Sequence, residues 1–344
     1  MMVTTSFMRK ETIEASAVVS YLLAGEVATF AEIKRLFERR KPRVITTCAR
    51  GSSDHAATFF KYLFEISVGV PVASVGPSIT SVYNGRLQLE DGLHFTISQS
   101  GASPDIIALQ KAAKQGGAIT VAVVNMLDSP LAQQADIVVA LHAGKEQSVA
   151  ATKSCIASAV ALAAVTAEIS GDSALKKALN QLPDALEKTT AAIIHAELIS
   201  QLSKLEDMYV VGRGPGLAIA LEGALKAKET CGIHAEAFSL AEVMHGPIRL
   251  IKGGFPILAF LNKDNAFSAN ELAIERLIGL GADVVTIGAE SNLTQTVQIR
   301  STDHGLIDPL VGLGAYYNLI EQIAKARGLD PDKPQNLSKI TETM

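Results

Sequence analysis

The sequence predicts two tandem α/β domains, each a parallel sheet flanked by helices in the flavodoxin-like or Rossmann-like manner. Two observations lead to this fold class. Short runs that are apolar on both faces, such as 118–125 and 135–141, alternate with helical segments, which is typical of a parallel sheet covered on both sides. The order also repeats, because Arg50-Gly51 and Arg213-Gly214 lie 163 residues apart and each pair follows a predicted strand.

The elements of the first half are expected in this order: helices over 1–40, a strand at 43–48, a helix to about 68, strands at 72–75 and 93–98, a helix over 104–115, and strands at 118–125 and 135–141. The alanine-rich run 155–169 indicates a buried helix that is too short to span a bilayer. The second half is expected to contain strands at 207–211, 256–261 and 283–287, a helix over 215–231 and another between the last two strands.

These elements divide the chain into five parts. They are an N-terminal helical segment (1–40), a first α/β domain (41–170), a polar helical linker (171–203), a second α/β domain (204–328) and a C-terminal tail (329–344). The two domains are unequal copies, because the hydroxyl-rich turn after the 93–98 strand has Leu-Asn-Lys-Asp in its place in the second domain. We therefore expect the second domain to contribute something other than a phosphate turn.

Composition excludes several classes of protein. The 344 residues are 48% apolar and 19% charged, as in a well-packed globular chain. A net charge of −4, no Trp and 5% aromatic residues argue against nucleic-acid and anionic-membrane partners. Three cysteines give no disulfide framework, and Arg9-Lys10 is followed by no apolar signal region, so we expect a cytoplasmic protein.

The turn at 98–103 has the features of an anion site. Ser103-Pro104-Asp105 has the order of a helix start, in which the Ser103 hydroxyl is expected to cap the helix and Gly101 lets the backbone approach a ligand. The turn contains no basic residue, so it would hold phosphate through neutral donors. An ordinary capped β-α turn explains the spacing equally well. The side chains expected to converge on phosphate are those of Ser98, Gln99, Ser100 and Ser103.

A second group of candidates lies on the 215–231 helix. Glu222, Lys226 and Glu229 recur at i, i+4 and i+7, within about a 60° wedge. A solvated helix face is the ordinary explanation of such a stripe. The rest of the helix is mostly Ala, Leu and Gly, and ionisable groups on an apolar helix tend to be paired. Paired carboxylates near a pocket are candidates for acid/base work.

Two histidines follow this helix. His245 precedes Gly-Pro at a turn, where its side chain can aim at a pocket and carry a proton near neutral pH. Each histidine alone is more often a structural residue. His234 and His245, with Glu236 and Glu242, lack the spacing of a helical or turn chelate, so we expect no metal site.

Together these segments resemble the tandem sugar-isomerase (SIS) domain family, and within it the isomerase half of glutamine–fructose-6-phosphate aminotransferase, over roughly residues 10–344. Many matches in the same order make the resemblance specific. The segments that carry it are Ser98-Gln99-Ser100-Gly101, Ala151-Thr152-Lys153, Gly212-Arg213-Gly214, the run 220–226, Lys228-Glu229, the run 233–237, His245-Gly246-Pro247 and the tail 335–339.

The resemblance implies roles for individual residues. It implies that Glu229 moves a proton between sugar carbons 1 and 2, that His245 opens the sugar ring, and that Lys339 is an amine near the sugar carbonyl. For Lys339 the sequence alone indicates only a solvated tail. Lys226 is a further catalytic candidate. The candidate substrate-binding residues are Arg50, Gly51, Ser52, Ser53, Ser98, Gln99, Ser100, Ser103, Val149, Ala151, Glu222 and Ser338.

Departures from the aminotransferase pattern narrow the expected activity. No cysteine precedes Cys48, so the glutaminase nucleophile is missing and we expect no ammonia from glutamine. Arg50, Ala151 and Met244 stand where the aminotransferase has Cys, Ser and Lys. The nearest fit is the SIS-type glucosamine-6-phosphate deaminase, which would release ammonia and fructose 6-phosphate, with no cofactor or metal, from a homodimer with a shared active site.

Three other functions remain open at this point. One is a related deaminase or isomerase for galactosamine 6-phosphate, fructosamine 6-phosphate or another amino-sugar phosphate. Another is a non-catalytic sugar-phosphate sensor, against which the joint presence of Glu229, His245 and Lys339 speaks. The third is a DNA-binding regulator, which requires an N-terminal helix-turn-helix pattern that residues 1–40 do not show.

Overall fold

Two entirely parallel sheets organise the chain, which is known from a computed structural model describing residues 5–339. The first four residues of the expected 1–40 segment and the last five of the expected 329–344 tail lie outside the described residues. The chain divides into two compact units with one sheet each. The first-sheet unit contains residues 17–146, 153–180 and 338–339, and the second-sheet unit contains 5–16, 147–152 and 181–337.

The first half of the chain begins with two helices, α1 (Phe7–Gly25) and α2 (Val27–Arg40). The strands of the first sheet are β1 (Ile45–Cys48), β2 (Val72–Ser74), β3 (Leu93–Ser98), β4 (Ile119–Val124) and β5 (Ile137–Ala140). The helices among and after them are α3 (Ser52–Val68), α4 (Ser78–Ser81), α5 (Pro104–Gln115), α6 (Pro130–Gln134) and α7 (Lys153–Ser170).

Two further helices, α8 (Ser173–Thr190) and α9 (Ala196–Leu202), lead to the second sheet. Its strands are β6 (Asp207–Gly212), β7 (His234–Ser239), β8 (Phe255–Leu261), β9 (Ala282–Gly288) and β10 (Gln295–Gln298). Its helices are α10 (Pro215–Cys231), α11 (Leu240–Val243), a 3-10 helix (Pro247–Leu250), α12 (Phe267–Gly279) and α13 (Asp308–Ala326).

Both sheets have the same topology. The first has the strand order β2-β1-β3-β4-β5 and the second β10-β9-β8-β6-β7, and the strands pair in parallel throughout. Numbered within its own unit, each sheet has the flavodoxin-like order 2-1-3-4-5. The predicted fold class is confirmed. In this order the direction of winding reverses between the first and third strands, and ligands bind in the crevice beyond the carboxyl ends of those two strands.

Burial explains why the sequence signal was strong in the first sheet. β3 is buried along its whole length, and the adjacent β4 is buried from its second residue onward. α7 is buried from Lys153 to Ala167 and packs against α3, where its small alanines allow close approach. The expectation that this run is too short to span a bilayer is wrong, because α7 has 18 residues and is long and apolar enough to cross a membrane. Its burial, at 83%, is that of a core helix, as predicted.

A carboxylate fixes the start of α1 within the second-sheet unit. Asp332 accepts hydrogen bonds from the backbone N–H groups of Phe7 and Met8, both at 2.7 Å, which satisfies two unpaired amides of the helix N-terminus. The Asp332 carbonyl also accepts from the Val149 N–H at 3.1 Å. On the same helix, the buried Glu11 carboxylate accepts from the hydroxyl of Ser148. The loop 147–152 is therefore held on two sides.

The internal repeat extends to backbone angles. Gly51, which precedes α3, has φ 53° and ψ −132°, and Gly214, which precedes α10, has φ 57° and ψ −132°. Residues with a Cβ atom avoid this region because the Cβ clashes with the flanking peptide groups. The same two Arg-Gly pairs that indicated the repeat therefore make the same turn from strand to helix in both units.

Gly214→Ala should destabilise the protein more than Gly232→Ala, which lies at the other end of α10. Neither added Cβ meets an atom within 4 Å, so the comparison isolates backbone conformation. Gly232 has φ 65° and ψ 20°, in the left-handed region that alanine tolerates better. We expect a loss of up to about 3 kcal/mol for Gly214→Ala and about 1 kcal/mol for Gly232→Ala. Urea denaturation measures both, and equal losses would contradict the assignment of strain to residue 214.

Candidate active site

The turn after β3 is built around Gly101. Its φ is +62°, and a Cβ there would lie 2.2 Å from the Ser129 hydroxyl, so only glycine fits. The Gly101 N–H donates to the buried Ser98 hydroxyl at 3.0 Å, and the Ala102 N–H donates to the Ser100 hydroxyl at 3.4 Å. Gln99 and Ser100 are partly buried at the carboxyl end of the strand. The hydroxyl-rich turn therefore lies at the winding reversal of the first sheet.

The start of α5 differs from the prediction in one respect. Ser103 occupies the N-cap position, but its hydroxyl makes no capping hydrogen bond, so that expectation is wrong. The Asp105 carboxylate takes the role, because it accepts from the Ile106 N–H at 2.8 Å, one of the amides that an N-cap hydroxyl would satisfy. The Ser103 hydroxyl is partly buried in the turn and does not cap the helix.

A basic residue reaches this turn from the neighbouring strand. Arg50, in the loop after β1, donates to the buried Asp105 carboxylate from Nε at 2.7 Å and from Nη2 at 2.5 Å. The Arg50 side chain is 47% exposed. The predicted turn contains no cation of its own, yet the fold brings a guanidinium to the helix start beside it. A fork-like arginine held by a carboxylate on one edge is suited to an anion on the other.

Ser52 and Ser53 begin α3 beside this arginine. The Ser53 N–H donates to the Arg50 carbonyl at 3.2 Å, and the Ser52 carbonyl accepts from the Cys155 thiol at 3.4 Å. Burial, followed by the charges of Asp105 and Asp54, raises the pKa of the neighbouring Cys48 thiol to about 12. Cys48 therefore stays protonated at neutral pH and is unsuited to act as a nucleophile.

The stripe on α10 forms a buried row of charges. Lys226 Nζ lies 3.1 Å from Glu222 Oε1 and 2.5 Å from Glu229 Oε2. The side chains of Glu222 and Lys226 are fully buried, and that of Glu229 is 22% exposed. The expected pairing on an apolar helix is confirmed, and a solvated helix face is excluded for Glu222 and Lys226. Glu229 is the member of the row that reaches solvent.

Two tyrosines of helix α13 donate hydrogen bonds to α10 at this row. The Tyr317 hydroxyl donates to Glu222 Oε1 at 2.9 Å, and the Tyr316 hydroxyl donates to the Gly223 carbonyl at 2.7 Å. Burial raises the pKa of Tyr316 well above its ordinary value, so this hydroxyl remains a donor. Two carboxylates share one ammonium in the row, and the Tyr317 hydroxyl supplies a further donor to the inner carboxylate.

His245 lies where the sequence predicted a turn. It follows α11 and precedes the 3-10 helix, its N–H donates to the Glu242 carbonyl at 3.0 Å, and its side chain is exposed. His234, at the start of β7, is exposed as well. Among residues 5–339, no three or more His, Cys, Asp or Glu side chains are grouped as a metal site requires.

The remaining candidates lie in the loop 147–152 and in the C-terminal tail. Val149 and Ala151 belong to the second-sheet unit, where the Val149 N–H is already bonded to Asp332. Ser338 and Lys339 belong to the first-sheet unit, and Lys339 Nζ lies 2.8 Å from Oε2 of the buried Glu146. Sequence reasoning missed Glu146. Nothing in its spacing joins it to Lys339, which is 193 residues away.

The candidates thus divide between the two units. The first-sheet unit contains the candidates at the ends of β1 and β3 and the two in the tail, namely Arg50, Gly51, Ser52, Ser53, Ser98, Gln99, Ser100, Ser103, Ser338 and Lys339. The second-sheet unit contains Val149, Ala151, Glu222, Lys226, Glu229 and His245, of which it joins Glu222, Lys226 and Glu229 directly.

The corresponding turn of the second sheet has a different character. It carries Asn262, Lys263 and Asp264 after β8 in place of the serines. Burial raises the pKa of Asp264, partly opposed by two backbone hydrogen bonds and by the Arg213 charge. An arginine therefore lies near a carboxylate at both winding reversals, but the turn after β3 carries serines where the turn after β8 carries Asn262, Lys263 and Asp264.

Comparison with known proteins identifies the family. The SIS domain family matches residues 39–167 and 201–306, so the chain belongs to the SIS domain family, as predicted. It is similar to glutamine–fructose-6-phosphate aminotransferase (isomerizing) of Thermococcus kodakarensis, with 33% identity over 310 residues, covering 85% of this chain and 50% of the aminotransferase. The chain spans about half the length of the curated relatives it matches.

Solved structures agree with this family. A protein from Silicibacter pomeroyi DSS-3, solved as a candidate phosphosugar isomerase, has a TM-score of 0.89 and 38% identity, covering 95% of this chain and all of that one. Glucosamine-6-phosphate deaminase from Thermotoga maritima has a TM-score of 0.76 and 20% identity, covering 98% of this chain and all of that one. At that identity the likeness is one of fold.

Lys226→Met should destabilise the protein far more than Lys228→Met. Removing the Lys226 ammonium leaves the buried Glu222 carboxylate without its cation, which costs about 3–5 kcal/mol. Lys228 lies two residues away on the same helix and is exposed. Among the described contacts, its ammonium donates only to the Ala235 carbonyl, at 3.1 Å. Removing this ammonium should therefore cost about 1 kcal/mol or less. Urea denaturation measures both variants, and similar midpoints would show that the row is not a buried ion network.

Proposed function

We propose that this chain is a glucosamine-6-phosphate deaminase, which converts glucosamine 6-phosphate and water to fructose 6-phosphate and ammonia. The observation that carries the proposal is the row on α10, where Glu229 reaches solvent at the end of a buried pair, Glu222 and Lys226. A carboxylate held in this way has a fixed position and is shielded from water on one side. These properties suit a base that takes a proton from the substrate and returns the same proton to it.

The substrate phosphate is proposed to bind at the winding reversal of the first sheet. Three features support this position: the Gly101 turn, the hydroxyls of Ser100 and Ser103, and the guanidinium of Arg50. Asp105 neutralises one edge of that guanidinium, so the site would combine a partly compensated cation with neutral donors. Such a site holds a phosphate monoester while still releasing it at the end of each turnover.

The proposed chemistry is an isomerisation followed by hydrolysis. His245 assists ring opening, which exposes the C1 aldehyde. Glu229 then removes the proton from C2 and returns it to C1, while the C1 oxygen gains a proton and the C2 nitrogen loses one. The product is the imine of fructose 6-phosphate at C2. Water adds to this imine and ammonia leaves, so atoms and charges balance without a redox step or cofactor.

Glu229→Gln should abolish ammonia release while the variant still binds the sugar phosphate. Glutamine keeps the shape and hydrogen-bonding capacity of the side chain but cannot accept the C2 proton, so kcat should fall at least about 100-fold. Ammonia release and calorimetric binding measure the two effects. Glu236→Gln, an exposed carboxylate on β7, is the matched control.

Substrate choice separates the proposal from its nearest alternative. Ammonia release is measured in parallel with glucosamine 6-phosphate, galactosamine 6-phosphate and fructosamine 6-phosphate. Preference for either of the last two would move the assignment to another amino-sugar-phosphate enzyme of the same chemistry. Binding without turnover of any of the three would instead make the chain a sensor. Loss of activity in Glu222→Gln, with retention in Glu229→Gln, would move the assignment of the base to Glu222, about two helical turns back along α10.

The proposed active form is a cytoplasmic homodimer in which His245 serves the site of the neighbouring subunit. His245 is exposed, which supports the proposal that its side chain extends into the active site of a neighbouring subunit. Three free, buried cysteines fit a reducing compartment. In the family that this chain resembles, the same histidine completes a shared site, and the proposal carries that arrangement over to this chain.

Mixing two inactive variants tests the shared site. Glu229→Gln and His245→Asn homodimers should each be nearly inactive. A mixed dimer would contain one doubly defective site and one intact site. Random pairing makes about half of the dimers mixed, so co-expression should restore about a quarter of wild-type activity. No recovery, with mixed dimers confirmed by native mass spectrometry, would place His245 in the site of its own chain.

A further inference from the structure

Glu146 is a buried carboxylate with an unusually complete set of donors. It accepts from the Ser154 N–H at 3.1 Å, the Ser154 hydroxyl at 2.7 Å and Lys339 Nζ at 2.8 Å. Its side chain is fully buried, and that of Lys339 is 27% exposed. The inner end of this pair is therefore fixed, whereas the amine reaches the surface.

A chain of contacts links this pair to the first-sheet crevice. Ser154 is the second residue of α7, and the next residue, Cys155, places its thiol 3.4 Å from the Ser52 carbonyl. Ser52 begins α3, directly after Arg50 and Gly51. The pair of Glu146 and Lys339 therefore lies next to the loop that follows β1, which borders the proposed phosphate site within the same unit.

The geometry gives Glu146 control over the amine. Two donors from Ser154 at the N-terminus of α7 fix the plane of the carboxylate, so the carboxylate dictates where the Lys339 nitrogen lies. A lysine side chain otherwise samples many rotamers, and ordering it has an entropic cost. An ammonium has three N–H donors, so the Lys339 ammonium can bond to Glu146 and also donate to a substrate oxygen.

We propose that Glu146 is a positioning residue, which holds the Lys339 ammonium beside the first-sheet crevice so that it can donate a hydrogen bond to the carbonyl oxygen of the open-chain sugar. This inference rests on the proposed function. Negative charge develops on that oxygen as C2 loses its proton, and a fixed cation stabilises it more than a mobile one does. The alternative is that the pair only fastens the tail to the unit.

Kinetics of Glu146→Gln distinguish these roles. The amide keeps the size of the side chain but removes the charge that holds the ammonium, so kcat should fall about 10- to 100-fold while KM changes little. Glu168→Gln is the matched control, because Glu168 lies on α7 and pairs with Lys34 and Lys176 on the surface. It should keep wild-type kinetics. Wild-type kcat in Glu146→Gln, with Lys339→Met inactive, would overturn the inference and leave the proposed function standing.

A double variant tests whether Glu146 acts through Lys339. Adding Glu146→Gln to Lys339→Met should reduce kcat no further than Lys339→Met alone, because the amine to be positioned is already gone. If the two losses multiply, Glu146 acts on its own and the inference is wrong. Circular dichroism melting of each variant shows whether the fold is retained.

Labelling of Lys339 tests the pair without any substrate. The folded, full-length protein is treated briefly with an acetylating N-hydroxysuccinimide ester, and peptide mass spectrometry compares Lys339 with Lys188, an exposed surface lysine. Glu146→Gln should raise the relative labelling of Lys339 several-fold, and Glu168→Gln should not. An unchanged rate would show that Glu146 does not hold the amine, whether or not the protein releases ammonia.

Discussion

Parallel strand pairing is the constraint on which the rest of the structure depends. Because every strand of a sheet runs the same way, the chain must return to the starting edge between strands, and it does so through a helix in all connections within the two sheets except the one from β9 to β10. The carboxyl ends of neighbouring strands then lie together at one edge of the sheet, so side chains that follow those strands can converge there. Arg50 and the Gly101 turn meet at that edge although 51 residues separate them, since β1 and β3 are adjacent in the sheet.

Buried charge recurs as the means of fixing polar groups. On α10 an ammonium lies between two carboxylates, and at the start of α7 a carboxylate gathers donors from Ser154 and Lys339. Each arrangement is costly to break, because one unpaired charge would remain in a low-dielectric interior. Each also ends in a group that reaches solvent, either Glu229 or Lys339. The buried part of each arrangement is therefore fixed, and its other end is open to solvent.

The sequence allowed the fold class and the α10 row to be predicted, since both depend on local patterns. Continuous apolar runs marked β3 and β4, and a 3.6-residue period marked the row. β7 and β10 were missed because they are polar edge strands, His-Ala-Glu-Ala-Phe-Ser and Gln-Thr-Val-Gln. α13 was missed as well, and it contains Gly312 and Gly314, which lower helix propensity; a Cβ at Gly314 would come within 3.0 Å of Leu186.

The parts of the site that escaped prediction depend on long-range contacts. Ser103 has the residue type and position of a cap, yet Asp105 takes the amide, while Arg50 from another strand orients that carboxylate. Glu146 had no pattern at all, because its significance comes from Lys339 at the far end of the chain. Local sequence patterns identify which residues are chemically able to cap a helix or bind a charge. The tertiary fold determines which of those residues are positioned to do so.

The matching angles of Gly51 and Gly214 have a consequence for how such a chain can change. The two units share one framework and one strand-to-helix turn, yet the polar side chains around that turn differ. The first unit carries serines after β3, and the second carries ionisable groups on the helix that follows its glycine. The backbone of this turn can therefore stay the same while the side chains beside it change independently in each unit.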